Sequence, residues 1–247
     1  MPADNSLAAP APDWYARLAD HLGTAYLGYE FTQWTNQEVD FLMSALSLKP
    51  GDRLLDVGTG PGRHAVEFAK RGLSVVGVDI SSTFLSIARE RADEEGVRAS
   101  FFEMDATSLP FENEFDAVTS ISEGAFGLGL DDLKILRGIA GALKPGGHAA
   151  VCAANVFYVL GQISEGDEFD PVTSLFKRRV EEVKGQDGSI ARFDMWNSCY
   201  TPRELEWIAN GAGLDPEFVN GVAPGDFKGR VPTREHPELL LLARKPG

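Results

Sequence analysis

The sequence is poor in cysteine, in positive charge and in long apolar runs, and each shortage removes a class of protein. The two cysteines, Cys152 and Cys199, stand far apart in no metal-like spacing, which argues against a disulfide framework or a zinc site and predicts two reduced, structural thiols. Lys and Arg number 23 against 37 Asp and Glu, a net charge of −14, so a nucleic-acid backbone is repelled. The basic cluster Lys177-Arg178-Arg179 is followed closely by Glu181 and Glu182 and does not reverse that balance. No apolar run approaches the roughly 18 residues of a membrane helix. The start, Met1 to Pro12, is Ala, Pro and polar rather than basic then apolar, so a soluble, cytoplasmic protein is expected. The partners left are small molecules, with no nucleic acid and no membrane. No self-complementary patch announces an oligomer.

What is present suits one globular domain, since 247 residues with 43% hydrophobic content can bury a core. After the lead-in, Trp14, Tyr15, Tyr26, Tyr29, Phe31 and Trp34 crowd into an aromatic segment. Thr35 and Glu38 then fit a capping box, opening a helix whose apolar stripe (Val39, Phe41, Leu42, Ala45, Leu46) stops at Lys49-Pro50-Gly51. From residue 53 strands and helices alternate: strand 53–57, helix 62–71, strand 74–80, helix 83–95, strands 99–104 and 116–122, helix 131–143, strand 147–154. That alternation predicts an α/β fold, a parallel sheet with helices on both faces. Residues 156–200 break it, and the Gly185-Gln186-Asp187-Gly188 turn between two strand-like runs predicts an inserted hairpin able to act as a lid. Thr201-Pro202-Arg203-Glu204 is a second capping box, and strands near 215–220 and 238–244 close the chain. The expected organisation is a single domain over 1–247, with an N-terminal helical cap over 1–50 and the hairpin or lid over 156–200.

The most informative stretch is Leu54 to Gly62, Leu-Leu-Asp-Val-Gly-Thr-Gly-Pro-Gly. An apolar strand runs through one carboxylate into alternating glycines and then a helix, which brings bare backbone N–H groups at a helix N-terminus against a ligand. The dinucleotide fingerprint wants its third glycine or alanine one position later, where Arg63 stands, which disfavours a diphosphate. Asp79 ends the second strand, 17 residues past Gly62, where it can accept from a ribose diol. Asp105 ends the third, where its carboxylate can accept from an exocyclic amine while the next N–H donates to a ring nitrogen.

These segments, with Phe115-Asp116-Ala117-Val118 and Leu143-Lys144-Pro145-Gly146-Gly147 in the same order and spacing, resemble the class I S-adenosylmethionine-dependent methyltransferases over roughly residues 50–155. The resemblance implies a Rossmann-like seven-stranded sheet in the order 3-2-1-4-5-7-6, strand seven antiparallel. It also implies S-adenosylmethionine as cofactor and S-adenosylhomocysteine as product. Gly58, Gly60 and Gly62 would approach the methionine part and ribose, Asp56 and the backbone near Ser122 would orient the amino group, Asp79 would take both ribose hydroxyls, and Ile80, Asp105 and Ala106 would frame the adenine. No Asn-Pro-Pro-aromatic tetrad follows strand four, unlike the DNA amino-methyltransferases, and no carboxylate trio matches the magnesium-dependent catechol type, so no metal is expected.

In an open α/β sheet the ligand lies beyond the carboxyl ends of the parallel strands. An antiparallel seventh strand begins on that edge, which puts His236 toward an acceptor, and Glu123 follows strand four at its centre; both are expected catalytic residues, Glu123 as a base or an amine anchor. Tyr158 and Trp196 are expected to line the acceptor pocket, with Asn155, Phe157 and Tyr200 available beside them. The sequence reading is methyl transfer to O, N or C of a small molecule by in-line displacement. The alternatives are a nicotinamide-dependent oxidoreductase or a non-catalytic S-adenosylmethionine sensor.

Overall fold

The computed structural model describes residues 7–122 and 124–247. In chain order the helices and strands are α1 (Trp14–Leu22), two short 3-10 turns (Gly23–Gly28 and Glu30–Trp34), α2 (Thr35–Ala45), β1 (Arg53–Val57), α3 (Arg63–Lys70), β2 (Ser74–Asp79), α4 (Ser82–Glu94), β3 (Ala99–Glu103), a 3-10 turn (Ala106–Ser108), β4 (Phe115–Ser120), α5 (Asp132–Ala142), β5 (Leu143–Asn155), α6 (Val156–Gly161), β6 (Glu168–Asp170), β7 (Leu175–Lys184), β8 (Ile190–Tyr200), α7 (Pro202–Gly211), β9 (Asp215–Val222) and β10 (Glu238–Arg244). Strands β3, β2, β1, β4 and β5 pair in parallel, β10 lies antiparallel on β5, and β9 antiparallel on β10. With β9 and β10 as strands six and seven, this is the order 3-2-1-4-5-7-6 with the seventh reversed.

Both faces of this sheet are covered, which is why its strands read as continuous apolar runs rather than alternating ones. Neighbours along a strand point to opposite layers: Leu55, Val118 and Leu241 pack under α5 and α7, while Leu54, Ala117 and Leu240 pack under α2, α3 and α4. A third cluster joins Trp14, Leu18 and Leu22 of α1 to Phe84 and Ile87 of α4 and to Val183 of β7, so the N-terminal cap is seated on the sheet's helices and on the insertion together.

The insertion is more than a hairpin. β6, β7 and β8 form a small antiparallel sheet, preceded by the short helix α6. β8 joins the main sheet through Ala154↔Cys199 and Asn155↔Tyr200, a short parallel pairing on the side of β5 that β4 has left. Three residues of β6 carry too little pattern to be read from sequence, whereas the turn at 185–188 was legible because Gly188 sits at φ +81°.

One local expectation fails. α2 begins at Thr35 itself, whose hydroxyl donates to the Thr32 carbonyl at 2.7 Å, and Glu38 caps nothing. Glu38 is fully buried and turned toward Arg63 and His64, because a buried guanidinium holds a carboxylate more strongly than a helix-end N–H does. Half-buried Thr201 and exposed Glu204 meet no such competitor and form the expected reciprocal cap of α7.

Gly62 caps α3 at φ +73°, and a Cβ there would lie 2.8 Å from the Ala88 Cβ on α4. Gly60, at φ +53°, has its nearest neighbour 3.8 Å away. Gly60→Ala is therefore expected to cost the left-handed strain alone, about 1–2 kcal/mol, and Gly62→Ala about 1–3 kcal/mol more from the clash with α4. Equal losses for the two variants in denaturant unfolding would show that the α3–α4 approach does not require glycine.

Candidate active site

The loop between β1 and α3 is built from alternate left-handed residues, with Gly58, Gly60 and Gly62 all at positive φ. It is tied to β2 by the N–H groups of Gly58 and Thr59, which both donate to the Val78 carbonyl. Ser122, a non-glycine residue at φ +46°, turns the chain after β4 so that Gly124 and Ala125 rest on Gly58, where any Cβ would collide with the Ala125 backbone. Strain of this kind at a strand end belongs to sites where backbone must be placed closely.

Two carboxylates hold the loop from beneath. Asp56 is buried and accepts from the hydroxyls of Thr59 and Thr119, each at 2.8 Å, which joins β1, β4 and the glycine loop. Asp79, 5% exposed at the end of β2, accepts from the Gly60 N–H at 2.8 Å and the Ser81 N–H at 2.9 Å. Burial pushes its carboxyl up to about 6 against the pull of those N–H groups, and neighbouring Asp56 adds to the rise. Asp105 is exposed and accepts from the N–H and hydroxyl of Thr107, which orients the turn at Ala106.

Gly58, Asp79, Ile80, Asp105 and Ala106 line one cavity at this edge, closed from the cap side by Pro12, Trp14 and Tyr15 and from the β4 side by Ala125 and Leu128. Five of the nine residues expected at the cofactor therefore share a wall. Asp56 and Gly60 stand behind it, bonded as described; Gly62 serves the α3–α4 contact; Ser122 makes the bend that brings Ala125 in. The groups at this edge match in kind what an adenosyl group presents: a carboxylate at one strand tip, a second acid at the next, and glycine where backbone must come close.

Beneath the loop lies a group that the sequence did not announce. Glu38 Oε2 accepts from Arg63 Nη1 at 2.6 Å and bonds His64 Nε2 at 2.8 Å, and Thr35 Oγ1 accepts from Arg63 at 3.0 Å. The exposures are 0% for Glu38, 4% for Arg63 and 5% for His64. Burial and the Arg63 charge push His64 below its usual range, so the imidazole is neutral and its Nε2–H donates. Although burial works the other way, His64 and Arg63 hold Glu38 below the ordinary carboxylate range. The signal available in the sequence was that Glu38 stands one turn before Leu42, on the inward face of α2.

A second cavity, about 240 Å³, opens between the β4 exit, the end of β5, α6 and the insertion. Phe126, Leu128, Cys152, Tyr158, Phe176 and Glu238 are among its walls, and Leu128 borders the first cavity too. Tyr158 thus lines this second cavity. Trp196 does not join it: it lies in a separate groove with Trp14, Arg17 and Phe193, and Lys177 sits over its ring at 5.4 Å. His236 lines neither cavity, since its Nδ1 accepts from the Thr233 N–H at 3.0 Å and its ring packs on Gly221. Asn155 locks that turn by donating to the carbonyls of Thr233 and His236, both at 2.9 Å. Glu123 lies outside the described residues. Among the described residues no three acidic, His or Cys side chains converge as a metal site, and no helix is long and apolar enough to cross a membrane.

Comparison with known proteins agrees with this geometry. A family model for a methyltransferase domain matches residues 54–147. The chain is 45% identical over 214 residues to a protein provisionally named a methyltransferase in Geobacillus sp. (strain WCH70), covering 78% of this chain and 84% of the relative. It is 37% identical over 124 residues to demethylmenaquinone methyltransferase of Thermus thermophilus, covering 48% of this chain and 53% of that protein, so it spans about half that relative's length. In fold it is similar to the CcbJ methyltransferase from Streptomyces caelestis, at a TM-score of 0.78 and 20% identity, over 96% of this chain and 100% of that one. The chain belongs to the class I S-adenosylmethionine-dependent methyltransferases.

Two outcomes follow from these charges. If Asp79 is the acceptor for a ribose diol, its ionised form accepts both hydroxyls more strongly than its protonated form, so affinity for S-adenosylhomocysteine is expected to rise with pH through about 6 and to be up to about tenfold weaker at pH 5 than at pH 7. Calorimetry across that range checks it, and Asp79→Asn should remove the dependence. Glu38→Ala strands a buried guanidinium and is expected to lose about 3–5 kcal/mol of stability in denaturant unfolding, much of it recovered in Glu38→Ala/Arg63→Met.

Proposed function

We propose that this protein transfers the methyl group of S-adenosylmethionine to an O, N or C atom of a small molecule, by in-line displacement, and releases S-adenosylhomocysteine. The observation that carries the reading is the pair of adjoining cavities at the carboxyl edge of the sheet: one edged by Gly58, Asp79 and Asp105, the other walled by Phe126, Val159 and Phe176 together with Arg178, Asn197 and Glu238, with Leu128 common to both. The cofactor supplies an already electrophilic methyl on a sulfonium, so no covalent intermediate on the protein is needed. What the chain contributes is placement, with the acceptor atom held about 3 Å from the methyl and water kept out.

Pro12, Trp14 and Tyr15 of the cap cover the first cavity, and Phe176 and Asn197 of the insertion wall the second, so residues 1–50 and 156–200 act as two halves of a lid. Glu123 and His236 are the candidates for taking a proton or anchoring an amine, His236 from the rim rather than the wall. A small acceptor rather than a nucleic acid is supported by the net charge of −14 and by the pairing of Lys177, Arg178 and Arg179 with Glu168, Asp167 and Asp194.

Incubation with methyl-labelled S-adenosylmethionine and a metabolite panel should label one product class. Asp79→Ala is expected to weaken S-adenosylhomocysteine binding about 10- to 150-fold, the loss of about 1.5–3 kcal/mol of charged hydrogen bonding. Glu123→Gln and His236→Ala should leave that binding intact while lowering turnover. Parental affinity in Asp79→Ala would refute the cofactor assignment.

A further inference from the structure

We propose that α1 is a gate over the first cavity: the cofactor enters and leaves only when α1 swings away about Gly23, and Trp14 is the bolt that holds it shut. The inference rests on the reading of that cavity as the cofactor site and adds how the site is reached.

The first cavity has a volume of about 40 Å³. A water needs roughly 10–15 Å³ of such space, so about three waters fit, whereas pockets for drug-sized ligands span roughly 300–1,000 Å³. An adenosyl group bearing an amino-acid tail needs more room than that. The outer wall is Pro12, Trp14 and Tyr15, and the inner wall, with Gly58, Val78 and Asp79, is the sheet edge. β1 and β2 are each paired on both sides and cannot retreat, so the outer wall is the one that gives way.

α1 is built to move as a piece. It has nine residues, too few for a helix to be stable alone, and no side chain caps its N-terminus, so it keeps its shape through what it rests on. Gly23 ends it at φ +47° and ψ −130°, a conformation open to glycine. The next fixed point is Tyr26, 7% exposed and edge-on to Phe31 and Phe84. Beyond it α2 is pinned by Glu38 to Arg63 and His64. The chain can therefore turn between α1 and Tyr26 without disturbing the glycine loop.

A short set of bonds holds α1 down. Trp14, buried and lining the cavity, donates its indole N–H to the Leu128 carbonyl at 3.2 Å. At the other end His21 Nε2 donates to the Val183 carbonyl at 2.8 Å, the Gln186 N–H donates to the His21 carbonyl at 3.2 Å, and Gln186 Oε1 accepts from the Thr24 N–H at 3.2 Å. Val183 and Gln186 belong to the hairpin of β7 and β8 and stand outside the first cavity, so the insertion latches the gate without touching what the cavity holds.

The test uses the full chain and radiolabelled S-adenosylhomocysteine in rapid-filtration binding. The observed rate is expected to rise with ligand concentration and then level off at the opening rate of the gate. His21→Phe keeps a ring beside Phe193 but loses the bond to Val183, and Gln186→Ala releases the Thr24 N–H. Each should raise the plateau and the release rate in an unlabelled chase together, about two- to tenfold, because the latch is weakened in the free and loaded protein alike. Equilibrium affinity should stay within about twofold of the parent. Trp14→Phe, which keeps an apolar ring and removes the donor, should raise the plateau similarly, and the amides of Leu18 to Leu22 should exchange more slowly once ligand is bound. A rate that climbs linearly to the highest concentration, latch variants that bind at the parental rate, or variants that lose affinity without faster entry would each overturn the proposal. No binding of S-adenosylhomocysteine by the parent would instead refute the cofactor reading on which it rests.

Discussion

The carboxylate of Glu38, fully buried, holds Arg63 and His64 at the first turn of α3, and through them fastens the N-terminal cap to the glycine loop. Charges are seldom placed so deep, because each loses its hydration, and the arrangement persists only when every member has a partner. Its consequence is rigidity where the fold needs it. The first residue of α3 cannot shift without stranding a charge, so the three left-handed glycines that precede it are held in one course.

From that fixed start the rest of the edge follows. Asp79 draws the loop toward β2 by taking the Gly60 N–H, Asp56 draws it toward β4 through two threonine hydroxyls, and the bend at Ser122 lays the β4 exit upon Gly58. The same stretch, residues 124–128, becomes the partition between two cavities. Both cavities are therefore bordered by neighbouring residues of one segment, while their outer walls come from distant parts of the chain, the cap before β1 and the insertion after β5.

The insertion shows how a common sheet acquires its own pocket. β8 borrows only two pairs from the end of β5, enough to anchor β7 and β6 over the edge without extending the core sheet. α6 begins where Asn155 caps it, and the same Asn155 pins the turn carrying His236. That side chain joins the insertion to the approach of β10, which is why Tyr158 and Glu238 line one cavity although they stand 80 positions apart in sequence.

Local spacing alone determined the glycine loop, the acids at the tips of β2 and β3, the alternating strands and helices of the parallel core, and the cap of α7, because each depends on backbone preferences and periodicities that act over a few residues, whereas the reversal of the seventh strand came from the family resemblance. Only the tertiary structure decided that Glu38 faces Arg63 instead of capping α2, that Tyr158 and Trp196 part company, and that Glu238 rather than His236 reaches the pocket. Those outcomes turn on which groups compete for the same partner once distant segments pack, and a sequence read along its length carries no record of that competition.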